Sequence, residues 1–197
     1  KSKKILIYLF LFLIIGSINN KNFINIKFTK ISEISIEGLD EISSEKLIKN
    51  LNLLQLNNLF FLKKEKLKEI IDSNTLVETY SVYKRYPSTL NIKIDKTIFL
   101  AQIKKDNEIY LLGSNGKLTK KGDKKLDVPY IFGDFNNKNF FEFKNAIDKA
   151  YFDYNEIQNL FFFKSGRWDI ETKSGLLVKL PKEGTEKLFD LLNKILN

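Results

Sequence analysis

The chain has 197 residues and contains neither cysteine nor histidine, which excludes disulfides, thiolate or imidazole metal sites and the commonest general base of enzymes. A hydrophobic content of 43% is ordinary for a packed core and excludes wholesale disorder. The formal net charge of +9 is spread along the chain, which favours general lysine enrichment over a nucleic-acid site.

The N-terminal segment carries three lysines before an uncharged apolar run from Ile5 to Ile18. As a helix, this run spans about 21 Å, so lysine snorkelling or bilayer thinning is needed to cross a ~30 Å hydrocarbon core. We predict that residues 1–20 are a cytoplasmic stub and a transmembrane anchor, and that the rest of the chain is exported because the lysines stay inside. The anchor includes Ile5, Leu9, Leu13 and Ile18.

The alternative for this segment is a cleaved signal peptide, whose apolar region typically has ~7–15 residues. The run fits that length better, but no small-x-small cleavage site follows it beyond the weak Gly16-Ser17 pair. We therefore favour an uncleaved anchor. Residues 21–30 are then a polar linker that lifts the next domain off the membrane surface.

Residues 31–98 have the pattern of a compact α+β domain with one mixed sheet. The stretch ISEISIEGL alternates apolar and polar residues, which predicts a half-buried strand closed by Gly38. A helix capped by Ser43 or Ser44 follows, and FLKKEKLKEIIDSN predicts a second helix. Two strands complete the order strand, helix, helix, strand, strand.

The last two strands form a hairpin in VYKRYPSTLNIKID, residues 82–95. Proline lacks an amide hydrogen and fixes its own φ, so it belongs at the bend. We interpret the basic, aromatic corner as a docking elbow for a partner, and the alternative is a plain turn with solvated charges. The residues of this corner are Lys84, Arg85, Tyr86 and Pro87.

Residues 99–197 predict a β-rich domain with two helices, one near residues 139–154 and one at the C-terminus. Arg167 and Trp168 are residue types enriched in interface hot spots, although a lone tryptophan on an alternating strand is more often a core residue. The strand from Leu176 to Leu180 is an edge if the chain ends after the terminal helix, and Leu177 and Lys179 would then meet a partner strand.

The chain resembles the FtsQ (DivIB) family of bacterial cell-division proteins, which carry a POTRA domain. Val82, Lys84, Tyr86-Pro87, Thr89-Leu90 and Ile92 match the family's hairpin pattern in register. Farther on, FLAQI, IYLLGSNGKL and DVPYIFG are similar to three more family segments. The departures are Lys96 and Phe99, where the family usually has Glu and Pro. Family members also usually continue into one more strand after the last helix, so either this sequence is cut at its C-terminus or this member is minimal.

This resemblance implies a bitopic inner-membrane protein with a cytoplasmic N-terminus and a periplasmic bulk. It implies a non-catalytic scaffold that binds the division proteins FtsB and FtsL, with wider links to FtsK, FtsW and FtsI. No cofactor, metal, nucleic acid or small-molecule substrate is expected.

Two other functions remain open. One is a POTRA protein of outer-membrane assembly or secretion, which requires a C-terminal barrel for which 197 residues leave no room unless this sequence is truncated. The other is a secreted enzyme that cleaves cell-wall glycan with two carboxylates, such as Asp153 and Glu156. A pair of this kind is expected by chance among 24 acidic residues, and no phosphate loop, nucleophile motif or metal spacing accompanies it.

Overall fold

The computed structural model describes residues 2–18, 30–53, 59, 62–123, 125–150, 152–181 and 189. Its first element is helix α1, Ser2–Ile18, in which the large apolar side chains from Ile5 to Leu13 are exposed. No helix among the described residues is both long enough and apolar enough to cross a membrane. The transmembrane span predicted within residues 1–20 is therefore not found, and the predicted linker lies outside the described residues except for Lys30.

The next unit contains β1 (Glu33–Glu37), α2 (Glu41–Asn52), α3 (Lys64–Ser73), β2 (Val77–Arg85) and β3 (Thr89–Lys96). Its strands lie in the order β1-β3-β2, with β1 parallel and β2 antiparallel to β3. The predicted order of elements and the mixed sheet are confirmed. Because β3 is central, its residues Leu90, Ile92 and Ile94 all point into the core beneath the two helices.

Helix α2 begins one turn earlier than its predicted caps. Asp40 has an extended backbone, and its carboxylate accepts hydrogen bonds from the Ser43 amide at 3.2 Å and the Ser43 hydroxyl at 2.8 Å. The prediction that Ser43 or Ser44 caps the helix is wrong, because the carboxylate of Asp40 satisfies the free amide of the first turn.

The backbone that follows β1 passes very close to β3. Gly38, directly after β1, has φ +99°, and a Cβ there would lie 1.8 Å from the Ile94 carbonyl oxygen. Only glycine permits this backbone to pass so close to β3.

The core of this first unit is aliphatic. The buried residues are Leu47, Leu51, Leu59, Leu67, Ile71, Val77, Leu90, Ile92 and Ile94.

The second unit is a sheet of seven described strands with one helix on its inner face. The strands are β4 (Phe99–Lys105), β5 (Glu108–Gly113), β6 (Leu118–Lys120), β7 (Tyr130–Phe132), β8 (Ile157–Phe162), β9 (Trp168–Thr172) and β10 (Leu177–Lys179). Their order is β10-β9-β8-β7-β4-β5-β6, and β7 pairs in parallel with both β4 and β8.

Helix α4 (Asn137–Lys149) connects β7 to β8 and covers the sheet. It starts at a capping box in which Asn136 and Asn139 bond each other's backbone amides. The predicted helix near residues 139–154 is found, starting two residues earlier, whereas the predicted C-terminal helix lies outside the described residues apart from Phe189. The aromatic members of this core are Phe140, Phe143, Phe152, Trp168 and Phe189.

Candidate partner-docking surfaces

The hairpin corner separates its four predicted residues into two groups. Tyr86 is 57% exposed and follows the exposed Arg85, so both side chains are accessible at the turn, where the Tyr86–Pro87 peptide bond is cis. Lys84 points to the helix side instead, and its ammonium donates a hydrogen bond to the Leu59 carbonyl oxygen at 2.5 Å. The corner thus offers one cation and one aromatic ring, while Lys84 holds the fold together.

The corner is tied to β1. The Ser32 amide donates to the Ser88 carbonyl at 3.0 Å, and the two serine hydroxyls are 2.8 Å apart. Thr89 adds a hydrogen bond from its hydroxyl to Glu33. Because the turn is bonded on this side, Arg85 and Tyr86 project from a defined backbone.

A groove of about 580 Å³ lies beside the corner, between α3 and β2. Leu62, Leu67 and Val82 give it an apolar floor, and charged residues of α3 form its rim. Tyr80 also lines it, and partial burial together with the negative charge of Asp72 raises the pKa of its phenol. The phenol therefore remains a neutral hydrogen-bonding group at physiological pH.

Trp168 lies in the core, with 7% of its surface exposed. Its ring stacks on Phe143 at a centroid distance of 4.7 Å and an angle of 11°, and it also contacts Phe135, Phe140 and Phe162. The core interpretation is therefore correct, and Trp168 does not form part of the accessible surface.

Arg167 has a structural partner. Its Nη2 donates to Asp169 Oδ2 at 3.1 Å, and its Nε lies 3.0 Å from Oδ1 of the same carboxylate. Asp169 is only 3% exposed, so the guanidinium neutralises a charge that is largely removed from water. The outer side of Arg167 stays accessible and lies over the Phe163 ring at 4.8 Å.

β10 forms one edge of the sheet among the described strands. The Leu180 amide donates to Trp168 and the Thr172 amide donates to Leu176, so residues 176, 178 and 180 bond β9. Main-chain groups alternate in direction along a strand, and those of Leu177 and Lys179 consequently face the open side. Leu177 is 53% exposed, so this edge carries an apolar side chain beside main-chain groups that pair with no other described strand.

An aromatic row on the outer face of the sheet, opposite α4, was not predicted from the sequence. Phe132 is 46% exposed and stacks on Phe161 at 5.3 Å, with Tyr130 at 6.4 Å on its other side. The spacing of Tyr130 and Phe132 in the strand YIF was the available signal, because alternate residues share one face. Which residue of β8 would join them depends on strand pairing, which this spacing does not contain.

The acidic pair considered for glycan cleavage has a local structural role. Asp153 accepts a hydrogen bond from the Asn155 amide at 2.9 Å and thereby caps the short 3₁₀ turn Tyr154–Glu156. Within the described part of the chain, no three acidic side chains come together as a metal-binding group. The arrangements that the described residues do form are an exposed corner, an apolar groove and an open strand edge, all of which suit protein binding.

Comparisons with known proteins agree with the arrangement of the first unit. Residues 29–96 match the family described as "POTRA domain, FtsQ-type". The cell division protein FtsQ of Rickettsia bellii is 24% identical over 169 residues, which cover 84% of this chain and 63% of that protein. The cell division protein DivIB of Staphylococcus aureus is 28% identical over 107 residues, covering 53% of this chain and 24% of the relative.

Among solved structures, the major extracytoplasmic domain of DivIB from Geobacillus stearothermophilus matches half of this chain and 90% of its own, with 14% identity and a TM-score of 0.38. The chain spans less than two thirds of the length of the two sequence relatives described above. Residues 29–96 are thus a POTRA domain of the FtsQ type, and the chain is a relative of the FtsQ and DivIB cell-division proteins.

Proposed function

We propose that this protein is a non-catalytic scaffold of the bacterial division machinery, held at the inner membrane and binding other division proteins outside the cytoplasm. The observation that carries the proposal is the reach of the similarity to FtsQ, which extends over 84% of the chain and so includes both units. A role in cell division follows from the relatives. The scaffold role and its partners are our inference from that relationship and from the docking surfaces.

The open edge of β10 is the proposed receptor for a partner strand. A strand added beside β10 would bond the main-chain groups of Leu177 and Lys179, which supplies affinity without requiring a particular sequence. Specificity would come from side chains next to the edge, with Leu177 as the apolar contact. The proposed occupants are the small bitopic division proteins FtsB and FtsL.

The hairpin corner is the proposed second contact. Arg85 and Tyr86 are accessible and belong to the residue types that dominate interface energetics. The neighbouring groove between α3 and β2 offers an apolar floor for a partner side chain. This contact would serve a different partner group, such as FtsK, FtsW or FtsI.

Attachment to the inner membrane is the third part of the proposal. Helix α1 is uncharged from Ile5 onward, and its large apolar side chains from Ile5 to Leu13 are exposed. Exposed apolar surface of this extent favours a lipid environment over water. The lysines before it would remain on the cytoplasmic side, and the POTRA domain and the second unit would then lie in the periplasm.

The test is capture of partners from membranes with the full chain, comparing Lys179→Pro with Lys179→Ala. Both variants remove the lysine side chain, but only proline removes the amide that faces the open edge. We expect proline to reduce the capture of FtsB- and FtsL-like proteins at least about tenfold, and alanine to reduce it little, since main-chain bonds supply the affinity.

Equal losses in the two variants would contradict strand addition, and recovery of outer-membrane assembly factors instead would contradict the division role. A second pair of samples, with and without Arg85→Glu/Tyr86→Ala, reports on the corner. Thermal unfolding of every variant confirms that the fold is intact. Loss of one partner group with β10 and of another with the corner is the expected pattern.

A further inference from the structure

One turn of the second unit makes hydrogen bonds to the POTRA domain. This junction turn, Gly113–Lys117, connects β5 to β6. It holds its own shape through hydrogen bonds from the Gly113 amide to the Lys117 carbonyl at 3.0 Å and from the Gly116 amide to the Gly113 carbonyl at 2.9 Å. Asn137 of α4 also donates to the Gly116 carbonyl at 2.7 Å. The turn is therefore a fixed part of the second unit.

Asn115 projects from this turn into the POTRA domain. Its Nδ2 donates to the carbonyl oxygens of Thr75 at 3.0 Å and Val77 at 2.8 Å, where β2 begins. Its Oδ1 accepts from the Lys117 amide at 2.9 Å. Both amide hydrogens are thus used across the junction, and the orientation of the side chain is fixed from its own side.

Lys117 and Ser114 also form hydrogen bonds across the junction. The Lys117 ammonium donates to the carbonyl oxygens of Asp72 and Asn74 at the end of α3, where a cation also complements the helix dipole. The Ser114 hydroxyl donates to Glu78 at 2.7 Å. Four of these five bonds end on main-chain carbonyls, so they specify an orientation of the POTRA backbone and not merely proximity.

The covalent connection between the units is equally short. Only Thr97 and Ile98 separate β3 from β4. The Thr97 amide donates to the Leu76 carbonyl at 2.9 Å, and the Ser114 amide donates to the Ile98 carbonyl at 2.8 Å. Both linker residues are thereby bonded, one to each unit.

Among the described residues, the buried apolar side chains of the two units form separate clusters, one in each unit. A cavity of about 330 Å³ lies between α2, α3 and Thr119 of β6, and its lining is mixed polar and apolar. Adjacent domains move relative to each other by default unless their interface is large and hydrophobic. At this junction, hydrogen bonds must therefore restrict the relative motion of the two units.

We propose that the junction turn is a polar lock that holds the POTRA domain and the second unit in one relative orientation. Asn115 is its central positioning residue, and Lys117 and Ser114 support it. The lock does not depend on the proposed scaffold function, because it concerns only how the two units are joined.

The experiment measures the distance between the units in the full chain in mild detergent. The protein has no cysteine, so Glu45→Cys on α2 and Glu142→Cys on α4 place two spin labels without background. Both positions are exposed. Double electron–electron resonance should give one narrow distance distribution, and Asn115→Ala/Lys117→Ala should broaden it at least about twofold as the cross-junction bonds are lost.

The matched control is Lys120→Ala/Asn145→Ala. It removes the same two residue types, but Lys120 pairs with Glu108 inside the second unit and Asn145 is exposed on α4. A third variant, Asn115→Asp, keeps the size of the side chain but replaces its two donors with an oxygen that repels the Thr75 and Val77 carbonyls. We expect it to broaden the distribution as well.

Far-UV circular dichroism and thermal unfolding establish that all variants are folded, and Asn115→Asp provides the comparison if the double alanine variant is not. Broadening in the lock variants alone supports the proposal. A broad distribution in the unaltered chain, a narrow one in the lock variants, or equal broadening in the control overturns it.

Discussion

The two units differ in the aromatic content of their cores. The buried residues of the POTRA core are all leucine, isoleucine or valine, whereas the second core combines aliphatic residues with four phenylalanines and one tryptophan. Aliphatic side chains repeat along β3 and the two helices and interlock with many small contacts. The aromatic core depends on a few large planes, with Trp168 stacked on Phe143 at 4.7 Å. The packing of the POTRA core is therefore spread over many small side chains, whereas the packing of the second core depends more on a few large aromatic rings.

The most severe test of this contrast removes the central ring. Trp168→Ala should lower the free energy of unfolding of the second unit by about 3–5 kcal/mol, because the large residue leaves a void that its neighbours cannot fill. Segment-resolved hydrogen exchange of the full chain measures the loss. Phe163→Ala is the control, since that ring is exposed on the same hairpin. Equal acceleration of exchange in β1–β3 would show that the two cores are not separate.

The matching test in the POTRA domain is Leu90→Ala. Leu90 is fully buried on the central strand, and its truncation should cost about 2–5 kcal/mol, confined to β1–β3 and the two helices. Urea unfolding followed by the same exchange experiment gives the value. Leu53→Ala, at an exposed position after α2, should change almost nothing. A cost larger than that of Trp168→Ala would reverse the contrast between distributed and concentrated packing.

Variants of the Arg167–Asp169 pair distinguish a contribution to stability from a contribution to partner binding. Arg167→Met leaves the Asp169 carboxylate without its partner, and the expected cost is about 1–3 kcal/mol of unfolding free energy. The double variant Arg167→Met/Asp169→Asn should recover part of this loss, because the unpaired charge is gone. Thermal unfolding of the unaltered chain, these two variants and Asp169→Asn completes the cycle. If stability is unchanged while partner capture falls, Arg167 acts in docking alone.

The smallest expected effect concerns the cap of α2. The Ser43 hydroxyl, the Ser43 amide and Lys96 hold the pKa of Asp40 at about 2, below its ordinary 3.8. A lowered folded-state pKa stabilises the protein above the unfolded value, so this contribution is complete above pH of about 4 and is lost as the pH falls toward about 2.

Asp40→Ala should therefore cost about 1 kcal/mol at neutral pH. Asp40→Asn keeps the capping oxygen but cannot titrate, so it should stay close to the unaltered chain at neutral pH and lose less stability on acidification. Urea unfolding at several pH values measures both. If Asp40→Asn loses stability on acidification as steeply as the unaltered chain, the acid-dependent loss comes from other carboxylates and not from Asp40.

The parts of the fold that could be predicted from the sequence are those that local periodicity determines. Leu90, Ile92 and Ile94 alternate, and alternation directly predicts a half-buried strand. The parallel pairing of β7 with β4 and β8 was not predicted, because those contacts join residues far apart in the chain. Asp40 was missed although it directly precedes α2, since two serines nearby offered equally good capping chemistry.

The candidate surfaces were predictable only in part. Arg85, Tyr86 and Leu177 are exposed as a docking surface requires, whereas Lys84 donates a hydrogen bond to the Leu59 carbonyl and Trp168 is buried. A lysine beside a turn has the same local pattern whether its ammonium meets solvent or a carbonyl from another segment. Asn115 illustrates the same limit, because an asparagine in a four-residue turn is explained locally, and its bonds to Thr75 and Val77 are not.

The parallel pairing of β1 with β3 determines how the POTRA domain would carry mechanical tension. The chain enters at the Glu33 end of β1 and leaves from the Lys96 end of β3, which are opposite ends of the paired strands. A pull between the N-terminal segment and the second unit therefore loads the pairs from Glu33 to Glu37 together, in shear. Bonds loaded in this way resist as a group, whereas a hairpin pulled from its two ends opens one pair at a time. Strand β2 lies outside this path, so the load falls on the pairing between β1 and β3.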